Sequence, residues 1–275
     1  MVGVLSQGLF AFLLLGGVLA DARREVGFGT NYVVSWGKEH FRSLDEGREV
    51  QLLMDKTSGA GFASKLNYRS GFFAMKIKIP GRDTAGVVTA FYLTTGNRIE
   101  HEELDFEFLG NVEGQPIILQ TNVFANGIGN REHRVRLWFD PSEDFHTYQI
   151  LWNAYQIVLY KNQRSKKVSY PTKPMRIEGT LWDGEDRATD GGRKKTNWAF
   201  APFKANFQGF NIDGCSSTAR DCRSPKYWWN TRKYRRLDAH QQQAYENTRK
   251  HVVYDYCTDR KRYPMPPPEC PHRHD

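Results

Sequence analysis

His101-Glu102-Glu103-Leu104-Asp105-Phe106-Glu107-Phe108-Leu109-Gly110 alternates carboxylates with large apolar residues, and that period of two marks a β-strand. Residues two apart on a strand face the same side. Glu103, Asp105 and Glu107 therefore share one face, while Leu104, Phe106 and Phe108 share the other, turned to a core. Three carboxylates in a row at about 6.7 Å spacing repel one another, an arrangement that an exposed structural strand would relieve with Lys or Thr. Such a row raises the pKa of some of its members, as a general acid requires. The Cα atoms of Glu103 and Glu107 are about 13 Å apart on an extended strand. Side chains leaning together could close most of this, toward the ~5–5.5 Å at which one carboxylate acts as nucleophile and the other as acid/base on a glycosidic bond. Asp105, between them, could hydrogen-bond the nucleophile. A calcium site is a rival reading, although its ligands usually come from loops. A solvated acidic edge is the bland one.

The flanking sequence keeps the strand rhythm. Val50-Gln51-Leu52-Leu53-Met54 runs into a Gly-rich turn at residues 55–61, and residues 72–79 alternate up to Pro80-Gly81. Residues 87–93 form a nearly continuous apolar run; residues 117–124, 134–139 and 147–159 continue the series. Strands punctuated by turns, without a helical period, predict an all-β fold, a two-sheet β-sandwich. At 275 residues the core needs no metal to hold it. A charged share of 25% with 13% aromatics excludes a disordered chain.

The two ends differ from this middle. Residues 2–20 carry no charge, and residues 9–15 form an apolar run ahead of Ala20-Asp21-Ala22. A secretory signal over residues 1–22 is predicted, since the run is shorter than the ~20 residues of a spanning helix. No other stretch is apolar enough to span a membrane, so no membrane association is expected after cleavage. The four cysteines, Cys215, Cys222, Cys257 and Cys270, lie in the last quarter of the chain. In an oxidising compartment they read as two disulfides, and Cys215–Cys222 with Cys257–Cys270 is the simplest of the three connectivities. No CxxC pair supports zinc. Residues 238–250 are polar, lack Gly and Pro, and predict a helix. The tail thus reads as a small extension with one helix, pinned to the sandwich by the cysteine pairs. A net charge of +8 calls for an anionic neighbour. Export demotes nucleic acid and favours an acidic extracellular polysaccharide.

The acidic segment resembles the HxExDxExxG signature of the plant xyloglucan endotransglucosylase/hydrolase family, retaining enzymes of glycoside hydrolase family 16 with a β-jelly-roll fold. The match extends through Asp45-Glu46-Gly47-Arg48-Glu49, residues 58–64 and 85–92, Leu119-Gln120-Thr121-Asn122-Val123, Leu137-Trp138-Phe139-Asp140-Pro141 and residues 254–260. The resemblance implies a jelly-roll catalytic domain over residues 23–210 and the family's C-terminal extension over 211–275. It makes Glu103 the nucleophile, Glu107 the acid/base and Asp105 the supporting carboxylate. His101, Gln120, Asn122, Arg134, Asp186, Arg187 and Arg260 become cleft residues that meet substrate, and Trp182 a surface on which a glucose ring stacks. A neutral glucan offers no charge, so aromatic faces and hydrogen bonds must grip it.

The implied activity is a xyloglucan:xyloglucosyl transferase of the cell wall and apoplast, a monomer without cofactor or metal. It would cut a xyloglucan donor and join it to a xyloglucan or oligosaccharide acceptor. Pectin would be a further partner, held by the basic surface. Residues 183–198 look like the shorter, transferase form of a loop that is extended in hydrolysing members. A hydrolase and a catalytically weak wall-binding protein are the alternatives. Three positions depart from the family pattern. Glu102 replaces Asp, outside the catalytic face. Arg187 replaces a Trp, which removes an acceptor-side stacking platform and predicts weaker acceptor binding. Most of a hairpin after Tyr160 is missing, which would expose strand edges. No Asn-x-Ser/Thr sequon occurs, so the protein is expected to be unglycosylated.

Overall fold

Alternating side chains need a second layer to bury against, and the chain supplies it as two antiparallel sheets. The computed structural model describes residues 25–96, 99–158, 161–163 and 169–270. The segment read as a secretory signal lies outside the described residues. In chain order the strands are β1 (Tyr32–Trp36), β2 (Phe41–Leu44), β3 (Glu49–Met54), β4 (Ala60–Ser64), β5 (Tyr68–Lys78), β6 (Val87–Thr94), β7 (Glu103–Leu109) and β8 (Ile118–Phe124). They continue as β9 (His133–Arg136), β10 (His146–Trp152), β11 (Gln156–Val158), β12 (Lys161–Gln163), β13 (Arg176–Asp183), β14 (Phe203–Gln208), β15 (Asp213–Ser216) and β16 (Val252–Asp255). The first sheet has the order β1-β4-β13-β6-β7-β8-β9-β16. The second runs β12-β11-β10-β5-β14-β3-β2, with β15 also paired to β5.

The core lies between the sheets. Leu104, Phe106 and Phe108 of β7 are at most 1% exposed and meet Met75, Ile77, Ile150 and Phe207 of the second sheet in one cluster. A one-residue slip of β7 would put these rings in water and carboxylates in the core, so burial fixes the register. Gly110 ends the signature for a steric reason: a Cβ there would stand 1.9 Å from the Thr84 carbonyl oxygen.

Three expectations change. The strand expected over residues 134–139 stops at Arg136, where Asp140 takes the chain into a turn by accepting from the Ser142 N–H and hydroxyl. The strand expected over 147–159 breaks at Asn153, whose Oδ1 accepts from the N–H groups of Tyr155 and Gln156. A short hairpin also survives after that break. Gln156, Ile157 and Val158 pair with Gln163, Asn162 and Lys161, so the sheet retains a closing ladder where most of one was expected to be lost.

The extension is attached differently from the reading above. Cys215–Cys222 and Cys257–Cys270 are both bonded, and both close local loops. Attachment to the sandwich comes from β16 on β9, from β15 on β5, and from an aromatic cluster. Trp229 and Tyr234 pack with Leu151 and Phe72 on the outer face of the second sheet. Asn153 locks this joint by donating from Nδ2 to the carbonyls of Trp229 (2.7 Å) and Tyr234 (2.9 Å). The helix Ala239–Arg249 begins at Asp238 with a reciprocal capping box to Gln241.

Asn153 makes four hydrogen bonds while 1% exposed. Asn153→Ala strands the Trp229 carbonyl and two N–H groups, Tyr234 keeping the Gln156 amide as a donor, and should lower unfolding stability by about 2–4 kcal/mol in urea titrations. A loss below about 0.5 kcal/mol would show that the aromatic cluster alone holds the joint.

Candidate active site

The outward face of β7 is the floor of a cleft. Glu103, Asp105 and Glu107 line it together with Ala90 and Tyr92 of β6 and Thr180 and Trp182 of β13. Register explains the grouping, because Ala90 lies opposite Glu107 and Tyr92 opposite Asp105. On the other side Asn122 faces Asp105 and Gln120 faces Glu107. The structure places both of these residues buried beside the carboxylate row.

Each carboxylate has a different surrounding. Glu103 lies 3.3 Å from His101 Nε2, and its pKa is raised by burial, which outweighs the opposing pull of His101 and of a hydrogen bond from Thr94. Asp105 is 4% exposed and its pKa is pushed well up, first by burial and then by the charges of Glu107 and Glu103. Its Oδ1 has no hydrogen-bond partner. Glu107 has both oxygens engaged: Oε1 accepts from Arg187 Nη2 and Oε2 from Gln120 Nε2, each at 2.7 Å. The Gln120 amide is held in turn by Arg134, which donates from Nε to its Oε1 at 2.8 Å. The Arg134 guanidinium sits 5.5 Å from the Tyr254 ring centroid, so the extension reaches the cleft.

The other expected cleft residues divide. Trp182 lines the cleft, and the Arg187 guanidinium lies over its ring at 5.1 Å. Asn122 spends its Oδ1 on the Arg131 N–H at 2.9 Å. Asp186 and Arg260 are not brought to the carboxylates. Asp186 is exposed and ion-paired with Lys195 at 3.1 Å. Arg260 is exposed on the extension, where the neighbouring Arg262 bonds Glu132 instead.

Glu102 lies off the catalytic face, as expected. It is fully buried, and its Oε2 accepts from the Thr172 and Lys173 N–H groups at 2.7 and 2.6 Å. Sequence reasoning missed Tyr92, whose hydroxyl donates to Glu178 Oε2 at 2.8 Å, and Arg176, which donates to Glu178 Oε1 at 2.6 Å. Reading Tyr92 as one unit of an apolar run hid its place on the cleft side. Its even spacing from Ala90 was the available signal.

Asp105 makes stability depend on pH. Unfolded, its carboxyl ionises near 3.8; folded, it keeps its proton to a higher pH. The folded state therefore binds more protons above that value and loses stability as pH rises through the window. Asp105→Asn should melt higher than the parent at pH 7, with the gap closing below about pH 4. Equal gaps at both pH values in a melting series would mean that burial does not hold the proton.

With this geometry in place, comparison with known proteins identifies the chain. Residues 28–200 match the family model for glycosyl hydrolases family 16, and residues 223–270 that for the xyloglucan endo-transglycosylase (XET) C-terminus. Xyloglucan endotransglucosylase/hydrolase protein 2 of Arabidopsis thaliana is 54% identical over 266 residues, covering 91% of this chain and 91% of that protein. Protein 3 of the same plant series is 52% identical over 260 residues, covering 89% of each. The fold is also that of a prokaryotic beta-1,3-1,4-glucanase (lichenase) derived from a mouse hindgut metagenome. That structure has a TM-score of 0.52 at 21% identity, covering 67% of this chain and 95% of the other. The chain belongs to glycosyl hydrolases family 16 and, within it, to the xyloglucan endotransglucosylase/hydrolases.

Proposed function

We propose that the protein is a xyloglucan:xyloglucosyl transferase that cuts the β-1,4-glucan backbone by a retaining double displacement and rejoins it to a second xyloglucan. The row Glu103-Asp105-Glu107 on the cleft floor carries this reading, in a chain whose relatives are named for that activity. Glu103 attacks the anomeric carbon and forms a glycosyl ester while Glu107 gives its proton to the departing 4-oxygen. An acceptor 4-hydroxyl then loses its proton to Glu107 and displaces Glu103, so atoms and charge balance without a metal or redox group. Asp105, whose burial favours its protonated form, would donate to Glu103 and orient it. Trp182 offers a flat face for a glucose ring, and Gln120 and Asn122 polar edges beside the donor.

Export through residues 1–22, residence in the cell wall and apoplast, a monomeric state and contact with an acidic polysaccharide such as pectin complete the proposal. Both disulfides and the net charge of +8 agree with it. The catalytic domain would be residues 23–210 and the extension residues 211–275. Label transfer from a fluorescent xyloglucan oligosaccharide into xyloglucan, without matching growth of reducing ends, tests the reading. Glu103→Ala should lower incorporation by about 10⁴-fold or more. Reducing ends without label would instead mark a hydrolase.

Arg187 adds a condition. A proton passed to the glycosidic oxygen must sit on a Glu107 oxygen, and both are occupied. Gln120 is braced by Arg134, whereas the Arg187 side chain is 53% exposed, so Oε1 is the oxygen that can be cleared. An exposed ion pair weakens with salt. The parent's turnover should rise about two- to five-fold between low and moderate ionic strength, and Arg187→Gln should start high and stay flat. Parallel salt curves for both proteins would show that Arg187 does not restrain Glu107. The same contact favours the second reading, a weakly catalytic wall protein, if turnover stays low for the parent and recovers in the variant.

A further inference from the structure

The net charge of the chain is concentrated on one short segment. Residues 220–236 hold Arg220, Arg223, Lys226, Arg232, Lys233, Arg235 and Arg236 against a single carboxylate, Asp221. All seven cations are exposed. Several cations elsewhere on the surface have acidic partners, as in Arg48–Asp45, Arg193–Asp190 and Arg262–Glu132. Among the described residues, none of the seven is in an ion pair. Three are laid against rings instead: Lys226 at 4.9 Å from the Tyr227 centroid, Lys233 at 5.5 Å from Tyr234 and Arg235 at 4.5 Å from Tyr155.

The segment is held firmly. Trp229 donates from Nε1 to Ser70 Oγ at 3.2 Å, Ser70 donates to the Cys222 carbonyl at 3.0 Å, and Asn230 bonds the carbonyls of Cys222 and Ser224. Beside it lies a polar pocket of about 230 Å³, rimmed by Arg69, Arg220 and Arg223 and floored by Ser70, Asn153 and Tyr170. Asp221 is also on its wall, with Oδ1 accepting from the Arg223 N–H. The position matters as much as the charge. Trp229 and Tyr234 pack on Leu151 and Phe72, which face away from the core, so this surface lies on the opposite side of the sandwich from the carboxylate cleft.

We propose that residues 220–236, together with Arg69, form a docking surface for a polyuronate, an acidic polysaccharide bearing carboxylates along its chain. Unpaired arginines present planar forks matched to carboxylates, and the Tyr155 and Tyr227 rings beside them suit pyranose faces. Within residues 220–236 no large hydrophobic side chain is exposed, and the 39%-exposed Tyr155 ring beside them is covered by Arg235, which leaves little of the apolar insertion that an anionic membrane surface would reward. Docking there leaves the cleft free for a neutral glucan. This deepens the partner named above and does not depend on catalysis.

The test is retention of the full-length protein on immobilised polygalacturonate under a salt gradient, with fully methyl-esterified polymer as the neutral control. The parent should bind the acidic polymer and pass through the ester. The fourfold variant Arg232→Gln, Lys233→Gln, Arg235→Gln and Arg236→Gln should bind roughly ten-fold more weakly. A triple variant that removes charge elsewhere, Lys38→Gln, Lys56→Gln and Lys204→Gln, should bind like the parent. Unchanged melting and xyloglucan turnover in both variants would assign the loss to the surface. Equal weakening by the two variants, retention on the ester, or equal affinity for duplex DNA or anionic vesicles at matched salt would overturn the proposal.

Discussion

Three carboxylates at alternate positions of one strand cannot all be ionised and unaccompanied in a half-buried cleft, and the surrounding structure is arranged around that repulsion. The outer two each have a polar partner: the His101 ring beside Glu103 and the Arg187 guanidinium on Glu107. The middle one has none and is driven toward its protonated form by burial and by its neighbours. The result is three carboxylates on one strand face with three different surroundings. Strand alternation produces it and the core packing of Leu104, Phe106 and Phe108 holds it in register.

The same constraint explains why the C-terminal extension belongs to the cleft. Glu269 accepts from Arg131 Nε at 2.6 Å with both side chains at most 10% exposed, and the Arg131 N–H fixes Asn122 Oδ1. Asn122 gives its own backbone N–H to Asp105. Two residues along, Gln120 runs from Glu107 through Arg134 to Tyr254 of β16. Two relays therefore start on residues of the extension and end on catalytic-face carboxylates. The Cys257–Cys270 bond closes the loop that presents Glu269, so its contribution to the cleft is the placement of one carboxylate, with attachment left to β16 and the aromatic cluster.

What was legible in the sequence is what a local period encodes. The faces of β7 and β8, the core residues, the helix from Asp238 and the cysteine pairs follow from spacing and composition. What was not legible is the partner of each charged group, because such contacts join distant parts of the chain. Glu102 reads as one more acid in the run, yet its carboxylate caps N–H groups 70 residues away. Arg187 reads as a lost stacking platform, yet it stacks on Trp182 and grips a carboxylate 80 residues back. The break at Asn153 was missed for the same reason, since apolar residues on either side continue the strand pattern and only the demands of Trp229 and Tyr234 show why an amide stands there.

Net charge and site charge are also separate quantities in this molecule. A neutral glucan gains nothing from a basic protein, and the cleft pairs Glu107 with Arg187 while burial favours the neutral form of Asp105. The excess of +8 must then lie elsewhere, and it lies mostly in residues 220–236, on the far side of the sandwich. Steering by net charge would act on that face and would orient the cleft away from an anionic matrix, toward whatever neutral polymer lies between. The proposed docking surface would thus keep two kinds of polysaccharide contact apart, one built from stacked rings and hydrogen bonds, the other from unpaired guanidinium groups.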